Sequence, residues 1–248
     1  YTKHDYAKFN PAHTWTEYIN RLIGAISGVL TFVMLFMSFR YWKTKRKIVS
    51  LSALVVFLMG FQGWLGATVV YSVLQPLQIT IHMLMALLIV ALMVYLISEL
   101  PESTTKKTLV FDKRLNSVLI VAIGLSLVQI ALGTQVRQLI DEVSSALDYG
   151  QRELWIGLTG NTFKIHRSFA IILVLTNGLL FFRNYKLNFG FQLVNAVFAV
   201  VMLEVVSGVI LSYFDMMALM QPVHLVTASV LFVLQIALYF QLKKLKTT

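Results

Sequence analysis

Three histidines, His82, His166 and His224, stand at the start of long apolar runs. Neutral imidazole is a good axial ligand for iron, and two imidazoles on facing helices can clamp the iron of a heme whose plane stands between them. A single histidine there can equally be an interfacial residue bonded to a loop carbonyl. A matched pair at one depth in an apolar bundle favours ligation, because polar groups at that depth are costly without a partner. His166 and His224 form such a pair. His82 has no such mate: the position related to it holds Asn20, with Glu17 one turn earlier on the same helix face. Asn is a poor iron ligand, so a heme held there by His82 alone has one open axial face, as a reactive site requires. Glu17 can place a proton or a water beside that face. It can also be no more than a helix-start carboxylate favoured by the dipole.

Arg21, Arg137 and Arg167 lie near the outer ends of their helices. Each can pair with a heme propionate as a bidentate donor, or snorkel to the lipid headgroups. Glu204 falls near the middle of an apolar run with no basic residue close in sequence. An intramembrane carboxylate is expensive, which turns it toward the bundle interior. His4 and His13 lie in the polar aromatic start of the chain and are weak candidates.

The elements that position these residues are membrane helices. The chain of 248 residues is 58% hydrophobic and 13% charged, against roughly 25% charged in soluble domains. Apolar runs of spanning length, about 20 residues, recur from end to end. Seven spans are predicted: A over 18–40, B over 48–72, C over 77–98, D over 115–138, E over 162–182, F over 188–213 and G over 218–242. The segment 139–161, acidic and carrying Tyr149 and Trp155, is read either as a short helix on the outer surface or as a plain loop.

The net charge of +10 does not indicate nucleic acid, because the basic residues sit in short clusters between apolar runs. Arg40, Lys43, Lys45, Arg46 and Lys47 follow span A. Lys106, Lys107, Lys113 and Arg114 follow C, Arg183 and Lys186 follow E, and Lys243, Lys244 and Lys246 follow G. The B–C and F–G connections have no Lys or Arg. The positive-inside rule then places the first set in the cytoplasm, with the C-terminus, and the histidines toward the outer side. The absence of cysteine excludes disulfides, thiolate zinc sites and iron–sulfur clusters from the residues given. The start at Tyr1 does not have the pattern of a signal peptide.

An internal repeat organises the chain. With Gly66 laid on Gly208, Tyr71 falls on Tyr213, His82 on His224 and Gln62 on Glu204. Upstream, Tyr18–Arg21 lies over Lys164–Arg167, so Asn20 pairs with His166. Spans A–B–C and E–F–G are two copies of one unit in one orientation. Span D precedes the second copy, and symmetry predicts a partner for it before Tyr1. The expected fold is an all-α polytopic membrane protein of eight spans, seven of them in this chain, built as two tandem-repeated four-helix bundles. Residues 1–98 form the N-terminal half, 99–114 a cytoplasmic linker and 115–248 the C-terminal half.

The strings EYINRLIGAISG, GWLGATVVYSVLQPLQITIH, LGTQVR, IHRSFA and SGVILSYFDMMALMQPVHL resemble the heme A synthase family over essentially the whole chain. The resemblance implies oxidation of the ring methyl of heme O to a formyl group, giving heme A for terminal oxidases. It places heme b in the C-terminal half on His166 and His224. It places the substrate heme in the N-terminal half, with the catalytic Glu on Glu17 and one His on His82. The family's other N-terminal His falls on Asn20, so bis-histidine ligation is not carried over to the first half. Many relatives also have an outer-loop cysteine pair, which these residues lack. The localisation implied is a bacterial-type inner membrane. Heme O synthase and the assembling terminal oxidase are the implied partners alongside membrane lipid, and a homo-oligomer is compatible with the sequence. A quinol-linked b-type cytochrome and a non-enzymatic heme-handling or oxidase-assembly factor share the repeat and the histidine positions.

Overall fold

Water is absent from the bilayer core, so each spanning segment must satisfy its backbone N–H and C=O groups internally, and a helix does this alone. The computed structural model describes residues 11–71, 76–100 and 111–247, and among them every long element is a helix. The helices are α1 (Pro11–Ser38), α2 (Arg46–Tyr71), α3 (Pro76–Ser98), α4 (Lys113–Ala146), α5 (Arg152–Leu158), α6 (Asn161–Lys186), α7 (Gln192–Tyr213) and α8 (Met220–Thr247). Seven of them, all but α5, are long and apolar enough to cross a membrane. They follow the seven predicted spans in order, and the chain is a multi-pass membrane protein. His4, Lys106 and Lys107 lie outside the described residues, as do the side chain of His13 and the middle of the 99–114 linker.

The chain divides into two compact units, Tyr1–Ala67 and Thr68–Thr248. In the first, α1 ends in a single 3-10 turn, Phe39–Tyr41, before α2 begins. Arg40 lies 5.5 Å from the centre of the Tyr41 ring and Arg46 5.9 Å from that of Trp42. Cations over aromatic rings at a helix end are what an interfacial anchor requires.

In the second unit α4 packs on α6, α6 on α7, α7 on α8, and α8 back on α4. This closes a four-helix bundle in which α6 and α8 stand on one diagonal. Helix α3 lies against α8 and α4 on the outside of that ring, joined through Leu87, Ile130 and Phe232. Thr80 on α3 hydrogen-bonds Thr134 at 2.7 Å and accepts from Gln135 at 3.1 Å. At one end of the bundle Leu115, Leu119, Leu180, Phe191, Val194, Leu238 and Leu242 form a buried layer. The Asn184 amide closes the α6–α7 turn there by bonding both backbone groups of Phe191. Arg183 pairs with Asp112, the N-cap of α4, at 3.3 Å.

Helix α4 runs past its predicted end at 138 to Ala146. Its 34 residues reach about 51 Å at 1.5 Å per residue, longer than the roughly 30 Å of a bilayer core. The extra turns carry i,i+4 bonds, Arg137 to Asp141 and Gln138 to Glu142, which suit a helix that has left the lipid. The 139–161 segment does form a short helix, α5, but its Trp155 is buried. The indole N–H donates to the Gly150 carbonyl at 2.8 Å, and the ring packs with Ile140 and Met216.

One polar contact crosses the bundle. Asn177 on α6 and Gln235 on α8 are both fully buried, and the Gln235 amide donates to Asn177 Oδ1 at 3.0 Å. Asn177 in turn donates to the Leu173 carbonyl at 2.9 Å. We expect Gln235→Leu to destabilise this unit by about 1–3 kcal/mol, because the Asn177 oxygen is left buried without a donor. The double variant Asn177→Leu/Gln235→Leu should recover most of that loss, as read by thermal unfolding in detergent.

Candidate functional site

His166 and His224 each lie in the second turn of their helices, α6 and α8. Both helices run in the same direction, since one span, α7, separates them. Asn177 follows His166 by eleven residues, and Gln235 follows His224 by eleven. Eleven residues are about three turns and about 16 Å of rise, so each histidine shares its helix face with the residue of the buried amide pair. Because that pair touches across the diagonal, the equal spacing puts the two histidines at one depth, on the sides of α6 and α8 that meet across the bundle. Between the two levels lies a buried apolar layer of Leu173, Val197, Val201 and Leu231.

The His224 side chain is fixed by its neighbours on α7. Nδ1 lies 2.7 Å from Ser207 Oγ and 3.2 Å from Glu204 Oε2. The Ser207 hydroxyl donates to the Glu204 backbone carbonyl at 3.0 Å, which uses its only proton. In that arrangement its oxygen accepts from His224, and Nδ1 carries the hydrogen, which Glu204 Oε2 can also accept. Nε2 is left with its lone pair. The Thr227 hydroxyl, one turn after His224, bonds the other oxygen of Glu204.

Around His166 the bonding differs. The Gln129 side-chain nitrogen lies 3.2 Å from the His166 carbonyl and 3.4 Å from His166 Nε2. A carbonyl oxygen only accepts, so the group facing His166 is the amide NH2, and it donates to Nε2 as well. His166 therefore also has its lone pair on Nε2, behind a long hydrogen bond that a stronger partner displaces. His166 Nδ1 and Gln129 Oε1 are buried, with no hydrogen-bond partner among the described residues.

Two glycines make room for the rings. A Cβ at Gly133 on α4 would stand 3.3 Å from His166 Cε1, and one at Gly208 on α7 would stand 3.5 Å from His224 Cε1. Both imidazoles are thus seated in notches where a side chain is missing. Among the described residues no cluster of three or more His, Asp or Glu could hold a bare metal ion. The donor set of two imidazoles at one depth, each with its lone pair on Nε2, fits iron that brings four ring nitrogens of its own, and the residues present fit a heme.

The other sequence-derived candidates are placed as follows. Glu17, Asn20 and Arg21 lie together on one stretch of α1 with exposed side chains, and the Arg21 guanidinium pairs with the Glu17 carboxylate. His82 lies in the second turn of α3 and is partly buried. Arg137 pairs with Asp141 at 3.2 Å, and Arg167 stands over the Phe163 ring, 5.8 Å from its centre. Sequence reasoning did not find Gln129, Gly133, Ser207 or Thr227. Gly133 and Gln129 lie one turn apart on α4, and Ser207 precedes the glycine that anchors the repeat, but their relation to the imidazoles depends on how the helices pack.

No individual curated protein matches the chain in sequence. The sequence pattern of one family, COX15-CtaA, described as cytochrome oxidase assembly protein, matches residues 3–236. This is the heme A synthase family that the motifs resemble, and the chain belongs to it.

Proposed function

We propose that this protein is a heme A synthase. It oxidises the ring methyl of heme O to a formyl group, a four-electron change in which one oxygen atom enters, and His166 and His224 would hold a heme b on the electron path. The observation that carries this reading is the matched pair of imidazoles, seated in glycine notches with both Nε2 lone pairs available. Heme b, when bound, supplies one-electron transfer. The chain's own residues hold the two ligands at one depth through the Asn177–Gln235 bond and exclude water with the apolar layer beneath them.

In this reading residues 1–98 provide the substrate side. His82 would be a ligand to the substrate heme, and Glu17, whose carboxylate is held by the Arg21 pair, would be a proton-exchanging group. Arg137, nine residues before the end of α4, and Arg167, in the second turn of α6, would meet propionates. Residues 99–114 link this half to the heme b half at 115–248. The protein sits in a bacterial-type inner membrane with its heme sites toward the outer side and its C-terminus in the cytoplasm. It receives heme O from the synthase that makes it and passes heme A to the assembling oxidase. A second reading, a heme-handling assembly factor without catalysis, is favoured by Asn20, which stands where the family pattern has an iron ligand.

Co-expression with a source of heme O, followed by mass identification of the extracted hemes, tests the proposal. Heme A together with heme B is the expected result. Heme B without any heme A overturns the synthase reading.

A further inference from the structure

The two axial imidazoles are not equivalent. Nδ1 of His224 faces Ser207 Oγ and the Glu204 carboxylate, and Thr227 holds that carboxylate from its far side. Nδ1 of His166 has no partner among the described residues. The Glu204 side chain is 13% exposed, so little water competes with the imidazole for its oxygen. The repeat sharpens the contrast. The positions in the first copy that correspond to Glu204, Ser207 and Thr227 hold Gln62, Leu65 and Met85. The carboxylate, the serine and the threonine thus occur together in one copy only, the copy that has two histidines.

We propose that Glu204 and Ser207 are positioning residues. They lock His224 in the Nδ1–H tautomer and make it the more electron-donating of the two ligands, which lowers the reduction potential of the heme held in this bundle. A hydrogen bond from Nδ1–H to a carboxylate raises the basicity of the ligating nitrogen, and a more basic ligand favours ferric over ferrous iron. Thr227 fixes the carboxylate so that Glu204 Oε2, and not water, faces the ring. The inference rests on the assignment of His166 and His224 as axial ligands.

The test is a potentiometric titration of the purified, heme-loaded protein with a low-temperature electron paramagnetic resonance spectrum of each variant. The parent should show a low-spin signal of bis-imidazole type. Glu204→Gln keeps a hydrogen-bond acceptor and loses the charge. It should retain the low-spin signal while the ferrous-to-ferric ratio at fixed potential rises about tenfold, which is about 59 mV for one electron. Thr227→Val, which does not touch the ring, should shift the ratio the same way by a smaller factor. An unchanged ratio in Glu204→Gln with the low-spin signal intact overturns the inference. If Glu204→Gln does not load heme, an unchanged ratio in Thr227→Val overturns it instead. A parent without any low-spin heme overturns the ligand assignment, and this inference with it.

Discussion

His166→Ala and His224→Ala should each reduce the low-spin heme signal of the purified protein to background. In the proposed function the iron would have one protein ligand on each side, and neither α6 nor α8 carries a second histidine; the polar groups beside the rings, the Gln129 amide, Ser207 and the Glu204 carboxylate, sit on α4 and α7. The bundle itself should survive both substitutions, because its buried layers and the Asn177–Gln235 bond do not include either histidine. Loss of heme with retained helicity is therefore the expected pattern, measured by pyridine hemochrome and circular dichroism. Gly133→Val should have the same outcome without removing a ligand, since even a Cβ there stands 3.3 Å from His166 Cε1 and displaces the ring. Retention of the low-spin spectrum in both alanine variants would move the ligands elsewhere.

The second large effect concerns the first copy of the repeat. Glu17→Gln should leave heme binding intact and lower heme A formation by about 100-fold or more, the usual loss when a proton-exchanging group is removed. Gln keeps the shape of the side chain but loses the charge that now pairs with Arg21. Asn20→His restores the ligand type that the family pattern has at this position and should raise the low-spin heme content of the purified protein, because imidazole outcompetes water for iron. Heme spectra and heme A yield, each measured against the parent, give the answer. Parent-level heme A from Glu17→Gln would reduce Glu17 to a helix-start carboxylate.

The spans were legible because the lipid demands long apolar runs with charged ends, and α2, α3, α6, α7 and α8 begin and end close to where hydropathy places them. Helix α4 was read short because its last turns are polar, and hydropathy does not register a helix that continues in water on side-chain pairs such as Arg137–Asp141. The acidic composition of 139–161 suits an outer surface, yet Trp155 within it is buried. Its burial depends on Ile140 and Met216, which come from either side of it in the chain. The repeat pairs His166 with the position of Asn20 and His224 with His82, whereas the tautomer of each ring leaves no mark in the sequence. It depends on Ser207 and Gln129, residues that sit on neighbouring helices and show no pattern of their own. Asn177 and Gln235 left a trace, each eleven residues after a histidine, but one amide in an apolar run is ordinary until its partner is known.

The buried amide pair also decides which way traffic can pass. About 16 Å beyond the imidazoles, α6 and α8 are tied directly to each other across the centre of the bundle, under a layer of Leu173 and Leu231. A porphyrin cannot cross that tie without breaking the bundle. In the proposed function, a heme held by the two histidines would therefore enter and leave at the end where α6 and α8 begin, or sideways between helices near it.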